Sequence, residues 1–416
     1  MINRSDLTLR TKKEATSQAD SVSTEILERA GFISSFGSGL FGLTILGTET
    51  KKRIEECIRE EHIHNLNCHE VSIPSLQYSE DWKKSGRWKK FESEMFTFEN
   101  RDGKEMCLAP THEEGIVRMF KNNVRSYKDL PFSVFQIKQK HRDDHARNGL
   151  LRSKEFVMKD AYSMHRDRSS MYEKYEKMKE GYLNIFEKLG LKVATVESDV
   201  GVMGGNQSME FVAPGESGDD SLLYCTDCWS GLTDESEKFE DYGNGDNCPF
   251  CENGSLEEST GIEVGHIFAL GKEYSTSMNF NFYNEKGEEE QVYMGSYGIG
   301  VTRVMQAIIE QNGNSDSCNW ESTDWGTVAP FDVCVISSPE VEDKEINKVC
   351  EKLSGTERVL IYDEMNMGEQ FAESDLIGIP NKIILGNHWR DENEVEIERY
   401  DGSKEYCNIE SLGQLF

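Results

Sequence analysis

The stretch that decides the fold is residues 136–156, which read QIKQKHRDDHARNGLLRSKEF. The apolar, β-branched run from Phe132 to Ile137 predicts a strand that leads into this stretch. Asn148-Gly149 predicts a turn, and Phe156 begins a second predicted strand. Arg142 lies on the outgoing arm of this predicted hairpin and Arg152 on the return arm. Because each guanidinium offers a rigid fork of donors, the pair suits phosphate oxygens. A surface hairpin with solvated charges is the alternative that this stretch alone leaves open.

A glycine-rich segment, MGSYGIGVTR at residues 294–303, gives a second indication. It predicts a strand that runs into a helix from Val304 to Glu310, with Arg303 at the start. Glycines permit close approach of the backbone, and an arginine near a helix N-terminus suits an anion. A glycine-rich run alone is weak evidence, so a solvated surface stays open as the alternative to a nucleotide site.

Both segments resemble a known family of enzymes. The hairpin resembles motif 2 of the class II aminoacyl-tRNA synthetases, the glycine-rich segment resembles motif 3, and Pro74 lies where motif 1 carries its proline. Four further segments narrow the resemblance to prolyl-tRNA synthetases of the bacterial type, in that family's order: LAPTHEE (108–114), EFVMKDAYSMH (155–165), GIEVGHIF (261–268) and DLIGIP (375–380).

The resemblance implies an α+β fold in two domains. A class II catalytic domain on an antiparallel sheet is expected at residues 1–325, with a small zinc-ribbon-like insertion at 222–258. An α/β anticodon-binding domain is expected at 326–416. Many members carry a large editing domain between motifs 2 and 3, and only about 40 residues fill that place here.

The implied activity is that of a proline–tRNA ligase. Such an enzyme uses ATP to convert proline to prolyl-adenylate and then transfers the prolyl group to the 3′ end of tRNA(Pro). A homodimer formed through motif 1 is expected. Because the reactants carry most of the covalent chemistry, the protein must align them, neutralise charge and hold Mg²⁺.

The resemblance also assigns site residues. Arg142 and Arg303 are the expected catalytic pair, because both would neutralise charge that develops during adenylate formation. The residues expected to bind ATP are Arg142, Asp144, Arg152, Phe156, Glu263, His266 and Arg303. Asp144 departs from the family's Glu and is one methylene shorter. A lone histidine is more often structural than functional, so a structural role is the alternative for His266.

Proline is expected to meet Thr111 and Glu113, because a secondary ammonium needs only acceptors. The same residues also read as a helix capping box, and both roles are compatible. The full set expected to bind proline is Thr111, Glu113, Arg142, His165, Glu210 and Phe268. The family usually has histidine where Met209 stands.

Four of the eleven cysteines have metal-site spacing. The pattern C-x2-C-x19-C-x2-C predicts a closed tetrahedral zinc site with a structural role. Its ligands would be Cys225, Cys228, Cys248 and Cys251. Four unrelated buried cysteines are the alternative, and the other seven read as small apolar residues.

Charge is the feature that fits least. The 416 residues include 46 basic and 76 acidic side chains, a formal charge of −30, whereas RNA binding normally uses a basic surface. A salt-rich cytoplasm and lost tRNA binding are the two explanations. A mean hydropathy of −0.63, a polar N-terminus and no apolar run near 20 residues predict a cytoplasmic protein without a membrane segment.

The expected anticodon domain departs from the family at DEMNMGEQ, residues 363–370, which contains no arginine or lysine. Base-edge readout of guanine usually needs one of them. A paralogue that activates an amino acid for a non-tRNA acceptor is therefore a second hypothesis, and a non-catalytic tRNA-binding relative is a third. The third is disfavoured by the complete set of Arg142, Arg152, Arg303, Thr111 and Glu113.

Overall fold

The computed structural model describes residues 1–8, 10–15, 19–353, 355 and 358–415. Its helices are α1 (Val22–Arg29), α2 (Ile45–Glu60), α3 (Ser79–Ser85), α4 (Arg87–Lys90), α5 (Glu113–Phe120), α6 (Arg168–Lys188), α7 (Glu273–Met278), α8 (Val301–Asn312), α9 (Asp343–Lys352), α10 (Met367–Ile377) and α11 (Asn387–Glu392).

Its strands are β1 (Ile2–Asn3), β2 (Ile33–Gly37), β3 (Leu40–Leu43), β4 (His69–Glu70), β5 (Leu76–Tyr78), β6 (Thr97–Glu99), β7 (Glu105–Leu108), β8 (Phe132–His141), β9 (Glu155–His165), β10 (Ala194–Ser198), β11 (Gln207–Pro214), β12 (Asp220–Cys225), β13 (Ser230–Thr233), β14 (Leu256–Gly271), β15 (Asn281–Tyr283), β16 (Glu289–Gln291), β17 (Tyr293–Gly300), β18 (Val333–Ser337), β19 (Val359–Ile361), β20 (Asn381–Leu385), β21 (Glu394–Arg399) and β22 (Lys404–Asn408).

The chain divides into two compact units, and the larger one comprises Gly37–Phe41 and Ile54–Ala307. Its nine-stranded sheet has the order β11-β10-β13-β12-β14-β17-β9-β8-β4. The pairs are antiparallel except for β10–β13 and β4–β8. The expected antiparallel catalytic sheet is therefore confirmed. Helix α6 packs on this sheet through buried aromatic residues such as Tyr182 and Phe186.

The register of the nine-stranded sheet places the hairpin of residues 136–156 and the segments at 294–303 and 261–268 next to one another. In the β8–β9 hairpin, His141 pairs with Glu155, and the turn places Asn148 and Gly149 at positive φ, 53° and 63°. Strand β17 lies between β9 and β14, with Gly298 opposite His266. Since these strands adjoin, segments far apart in sequence contribute side chains to one face of the sheet.

The smaller unit comprises Met1–Phe36, Gly42–Arg53 and Ile308–Phe416. Its six-stranded sheet has the order β1-β19-β18-β20-β21-β22, parallel from β1 to β20 and antiparallel beyond. Buried Val333, Val335 and Ile383 belong to its core. This is the α/β architecture expected after residue 325.

The N-terminal residues depart from the expected division at 325/326. Residues 1–36 group with the C-terminal unit, because β1 adds a parallel strand to β19, with Ile2 opposite Leu360 and Asn3 opposite Ile361. No helix in the described ranges combines the length and the apolar character that a membrane span requires.

Candidate functional site

Two neighbouring cavities open beside the β8–β9 hairpin and share four lining residues, Arg142, Phe156, Glu263 and Arg303. The smaller cavity has a volume of about 130 Å³ and is also lined by Asp144, Arg152 and Asp219. The larger, of about 430 Å³, is also lined by Thr111, Glu113, Glu210, His266, Phe268 and Ser296. The residues expected on the ATP side and most of those expected on the proline side therefore surround one connected site.

Carboxylates hold two of the three key arginines in the smaller cavity. Arg152 donates from Nε to Asp144 Oδ2 at 2.8 Å and from Nη1 to Asp219 Oδ2 at 3.1 Å. Arg303 donates from Nη1 to the backbone oxygen of Glu263 at 2.6 Å and to its carboxylate at 3.2 Å. These guanidiniums are thus oriented before any phosphate arrives. Asp219 is a member of this group that the sequence did not reveal.

Arg142 differs from the other two arginines. Its Nε is buried and has no hydrogen-bond partner among the described residues, and its guanidinium carbon lies 5.5 Å from the centre of the Phe156 ring. Burial lowers the pKa of Arg142, and nearby Arg303 lowers it further. A buried, incompletely paired guanidinium between two cavities is suited to receive an anion.

Glu113 lies at the wall of the larger cavity and is fully buried. Its carboxylate accepts hydrogen bonds from Thr111 Oγ1 at 2.6 Å and from Ser296 Oγ at 2.9 Å. Burial opposes its ionisation, but the charge of Arg87 and the bond from Thr111 hold its pKa below the ordinary value. It is therefore an anion at neutral pH, as a partner for a secondary ammonium must be.

Arg87 is the main site residue that sequence reasoning missed. From the start of α4 its Nη1 donates to Glu113 at 3.0 Å, to Glu114 at 3.3 Å and to the Tyr274 hydroxyl at 2.6 Å. Burial acts against its charge, but Glu114 and Glu113 raise its pKa. Burial and the charge of Glu113 in turn raise the pKa of Glu114. Arg87 thus fixes the charge and position of the carboxylate expected to bind proline.

A second buried network supports the loop that carries Thr111 and Glu113. Asp160 on β9 pairs with Lys140 Nζ at 2.7 Å and accepts a hydrogen bond from the Tyr162 hydroxyl at 2.8 Å. That hydroxyl also accepts from the backbone N–H of His112 at 3.1 Å. The strand and the loop are therefore tied together directly behind the cavity.

His266, Glu210 and Glu263 form a cluster whose ligand atoms all lie within 4.8 Å of one another. His266 Nδ1 is 3.2 Å from Glu263 Oε1, and its ring stacks on Phe268 with centroids 4.0 Å apart. Burial opposes ionisation of Glu263, but His266 and Arg303 lower its pKa to about 2. Burial and the charge of Glu263 raise the pKa of Glu210 to about 8. The two carboxyl groups thus differ in charge at neutral pH.

His165 does not join the site, contrary to the expectation that it lines the proline pocket. It lies nine residues after Phe156, and successive side chains of a strand alternate between faces. Phe156, Met158 and Asp160 line the larger cavity, so His165 is on the opposite face of β9. There its Nδ1 lies 2.8 Å from Ser170 Oγ. The same alternation on β11 puts Glu210 at the cavity and leaves Met209 outside its lining.

The four spaced cysteines converge in the larger unit. Cys225 and Cys251 Sγ lie 3.7 Å apart, as do Cys228 and Cys248 Sγ, and all four ligand atoms lie within 4.8 Å of one another. A Cβ at Gly254 would stand 2.2 Å from Cys225 Sγ, so only glycine permits this approach of the chain. The donor set and its spacing fit a tetrahedral thiolate site.

Comparison with protein families identifies the class. Residues 96–312 match the tRNA synthetase class II core domain of the G, H, P, S and T group, and residues 332–412 match the anticodon-binding domain. The chain is a class II aminoacyl-tRNA synthetase.

Curated relatives narrow this class to one family. A proline–tRNA ligase of Rhizobium etli is 35% identical over 97% of both chains, and one of Sulfurimonas denitrificans is 35% identical over 92% of both. The chain therefore belongs to the proline–tRNA ligase family. The Rhizobium alignment spans 436 positions. That with the Halothermothrix orenii proline–tRNA ligase, 30% identical over 94% of both chains, spans 544, so the latter relative has segments that this chain lacks.

Solved structures share the fold. Giardia lamblia prolyl-tRNA synthetase in complex with prolyl-adenylate gives a TM-score of 0.75 at 20% identity, covering 93% of this chain and 74% of that one. The Cryptosporidium parvum enzyme, complexed with halofuginone and AMPPNP, gives 0.74 at 17% identity, covering 97% and 76%. At these identities the likeness concerns the fold alone.

Proposed function

We propose that this chain activates proline with ATP to form prolyl-adenylate and transfers the prolyl group to the 3′ end of tRNA(Pro). The observation that carries the proposal is the position of Arg142. It lines both cavities, its Nε is buried without a partner among the described residues, and Glu113 and Phe156 line the same site. A reaction between a carboxylate and a phosphate needs a cation at the junction of the two reactants.

In this proposal the larger cavity orients proline. The secondary ammonium donates to Glu113 and to Thr111 Oγ1, while the proline carboxylate turns toward Arg142. Phe268 supplies an apolar wall for the pyrrolidine ring. Since Arg87 holds the Glu113 carboxylate in place, the ammonium meets a preorganised anion.

The smaller cavity would bind ATP. Adenine stacks on Phe156, and the triphosphate takes over the donors of Arg152 and Arg303 from Asp144, Asp219 and Glu263. The proline carboxylate oxygen then attacks the α-phosphorus, a new O–P bond forms, and pyrophosphate leaves. Arg142 neutralises charge on both reactants during this step. In the second step the terminal ribose hydroxyl of tRNA attacks the prolyl carbonyl and AMP leaves.

Two metal ions belong to the proposal. Glu263 offers carboxylate oxygens of the kind that Mg²⁺ prefers, and Glu210 would join it as a ligand by releasing its proton. The ion would neutralise charge on the phosphates. Cys225, Cys228, Cys248 and Cys251 would hold a structural Zn²⁺, which would stabilise the short insertion.

We propose a homodimer as the functional form, in the cytoplasm where tRNA charging takes place. In the larger unit β4 is the last strand of the nine-stranded sheet. The apolar side chains of Ile63 and Leu76 are exposed on either side of it in sequence. An open strand edge with exposed apolar residues is a surface that a second copy can cover.

Proline-dependent exchange between ATP and pyrophosphate tests the activation step. Arg142→Ala and Arg303→Ala should each lower exchange by about 10²-fold or more, because they remove stabilisation of developing charge. Arg166→Ala is the matched control, since Arg166 is exposed and pairs only with neighbouring Asp167 among the described residues. Near-wild-type exchange in both site variants would contradict the assignment. Charging of tRNA(Pro) then separates a ligase from a paralogue that serves another acceptor.

A further inference from the structure

The N-terminal arm, defined here as residues 1–8 and 10–13, is built into the unit that carries the anticodon-binding domain. After β1 has paired with β19, Arg4 Nη2 donates to Glu373 Oε2 on α10 at 2.9 Å. The backbone N–H of Ser5 donates to Asp363 Oδ1 at 2.8 Å, and Thr11 Oγ1 donates to Glu373 Oε2 at 3.2 Å. The arm therefore follows β19 and α10, outside the 332–412 range of the family match.

These contacts engage carboxylates in and beside the acidic segment between β19 and α10. Residues 363–370 contain no arginine or lysine, and a bare Asp363 would repel RNA phosphates. The arm satisfies this carboxylate with donors from Ser5, and it pairs that of Glu373 with Arg4. The Arg4 cation thus offsets one acidic side chain of α10, next to the segment that lacks cations of its own.

The arm also adds exposed positive charge. Arg10, Lys12 and Lys13 are exposed and form no ion pair with any described residue. Within 332–412 acidic side chains outnumber basic ones by more than two to one, and most of the basic ones are paired. Examples are Lys382 with Asp375 and Lys404 with Glu396. Uncommitted cations are therefore concentrated in the arm.

We propose that the N-terminal arm is part of the tRNA-binding surface of the anticodon-binding unit, with Arg10, Lys12 and Lys13 contacting phosphates near the anticodon end of tRNA(Pro). The inference rests on the proposed function for the identity of the RNA. Contacts of this kind supply affinity and orientation without reading the sequence. They explain how an acidic domain without basic residues at 363–370 holds RNA.

The test compares Lys12→Glu/Lys13→Glu with the matched control Lys344→Glu/Lys348→Glu. The control makes the same charge change on exposed lysines of α9 in the same unit. Charging is measured with full-length tRNA(Pro) and with an acceptor-stem minihelix that lacks the anticodon arm. Binding of labelled tRNA(Pro) is followed by fluorescence anisotropy over a series of KCl concentrations. Proline-dependent exchange between ATP and pyrophosphate monitors the catalytic unit.

The arm variant should raise the KM for full-length tRNA about 10-fold and reduce the log–log salt slope of binding by about 1.4, since each phosphate contact to a flexible strand contributes roughly 0.7. Minihelix charging, exchange and the control variant should stay at wild-type values. The milder Lys12→Gln/Lys13→Gln pair should show about half of the effect on a logarithmic scale.

Three results would overturn the inference. The first is wild-type affinity for tRNA(Pro) in the arm variant. The second is a loss of affinity in the α9 control as large as that in the arm variant. The third is a loss of charging by the arm variant that is as large with the minihelix as with full-length tRNA. A wild-type protein that exchanges pyrophosphate and binds tRNA(Pro) but does not charge it would overturn the proposed acceptor instead, and the binding series would still decide the role of the arm.

Discussion

Replacing Glu113 by glutamine is the sharpest test of the amino-acid pocket. The change keeps the shape of the side chain and removes its charge. In the structure Glu113 accepts hydrogen bonds from Thr111, Ser296 and Arg87. Because Arg87 keeps Glu114 as a counter-ion at 3.3 Å, the variant should still fold. What it loses is the anion that we propose faces the ammonium of proline.

The expected size of the effect follows from that loss. A hydrogen bond to a charged group contributes about 1.5–3 kcal/mol, and about 1.4 kcal/mol corresponds to a factor of ten. Glu113→Gln should therefore weaken the binding of proline by roughly 10- to 100-fold. This would be measured as a higher KM or a lower kcat/KM for proline. The KM for ATP should change little, because Glu113 lines only the larger cavity.

The assay is exchange between ATP and pyrophosphate, with proline and ATP varied separately. Glu114→Gln is the control, since Glu114 neighbours Glu113 and shares Arg87 but is absent from the cavity lining. It should keep the KM for proline within about threefold. A Glu113→Gln variant impaired mainly for ATP, or a Glu114→Gln variant impaired equally for proline, would refute the reasoning.

Three further outcomes follow from the structure. Burial and the charge of Glu263 raise the pKa of Glu210 to about 8 from an ordinary 4.5. The folded chain therefore keeps a proton that the unfolded chain releases between those values, and the stability this provides is lost as pH rises across that window. In denaturant unfolding, the free energy of unfolding of Glu210→Gln should rise relative to that of wild type as pH increases toward 9. A difference in unfolding free energy that is independent of pH would contradict this. Elemental analysis of wild type should give roughly one zinc per chain. Cys248→Ser should lose it and become protease-sensitive within residues 222–258, whereas Cys407→Ser should keep its metal. A metal-free wild type with the same protease resistance would refute the zinc site. Alanyl-tRNA made by the purified protein should persist, because a pocket rejects a smaller substrate by only about 1–3 kcal/mol and this chain lacks segments found in a longer relative. Rapid hydrolysis would show editing within the chain.

The sequence was informative where chemistry is local. The hairpin with Arg142 and Arg152, the run into Arg303 and the spaced cysteines each lie in one continuous segment, so their patterns are visible in the sequence. The roles of the three arginines came from the family resemblance and stay predictions. The antiparallel sheet and the C-terminal α/β unit followed from the resemblance, and both are confirmed. Asp144, at the position of the family's Glu, still reaches Arg152 at 2.8 Å, so the shorter side chain does not prevent that contact.

The features that the sequence did not predict depend on contacts between distant parts of the chain. Arg87 lies 26 residues before Glu113, and nothing in its own segment marks it as a partner of a buried carboxylate. The pairing of β1 with β19 joins residues more than 350 positions apart. The sequence does contain the information that excludes His165 from the pocket. An odd separation from Phe156 on one strand puts the two side chains on opposite faces.

The net charge of the whole chain does not describe the local charge of the two cavities. Screening at physiological salt acts over about 8 Å, and ten of the 76 acidic side chains line the two cavities. Three of these ten carboxylates orient arginines of the site. Asp144 and Asp219 orient Arg152, and Glu263 orients Arg303, so an incoming triphosphate exchanges one set of anions for another on guanidiniums already in position. The formal charge of −30 therefore bears on how fast ATP and RNA arrive at a given ionic strength, while the affinity of each depends on the few cations that the fold places within reach.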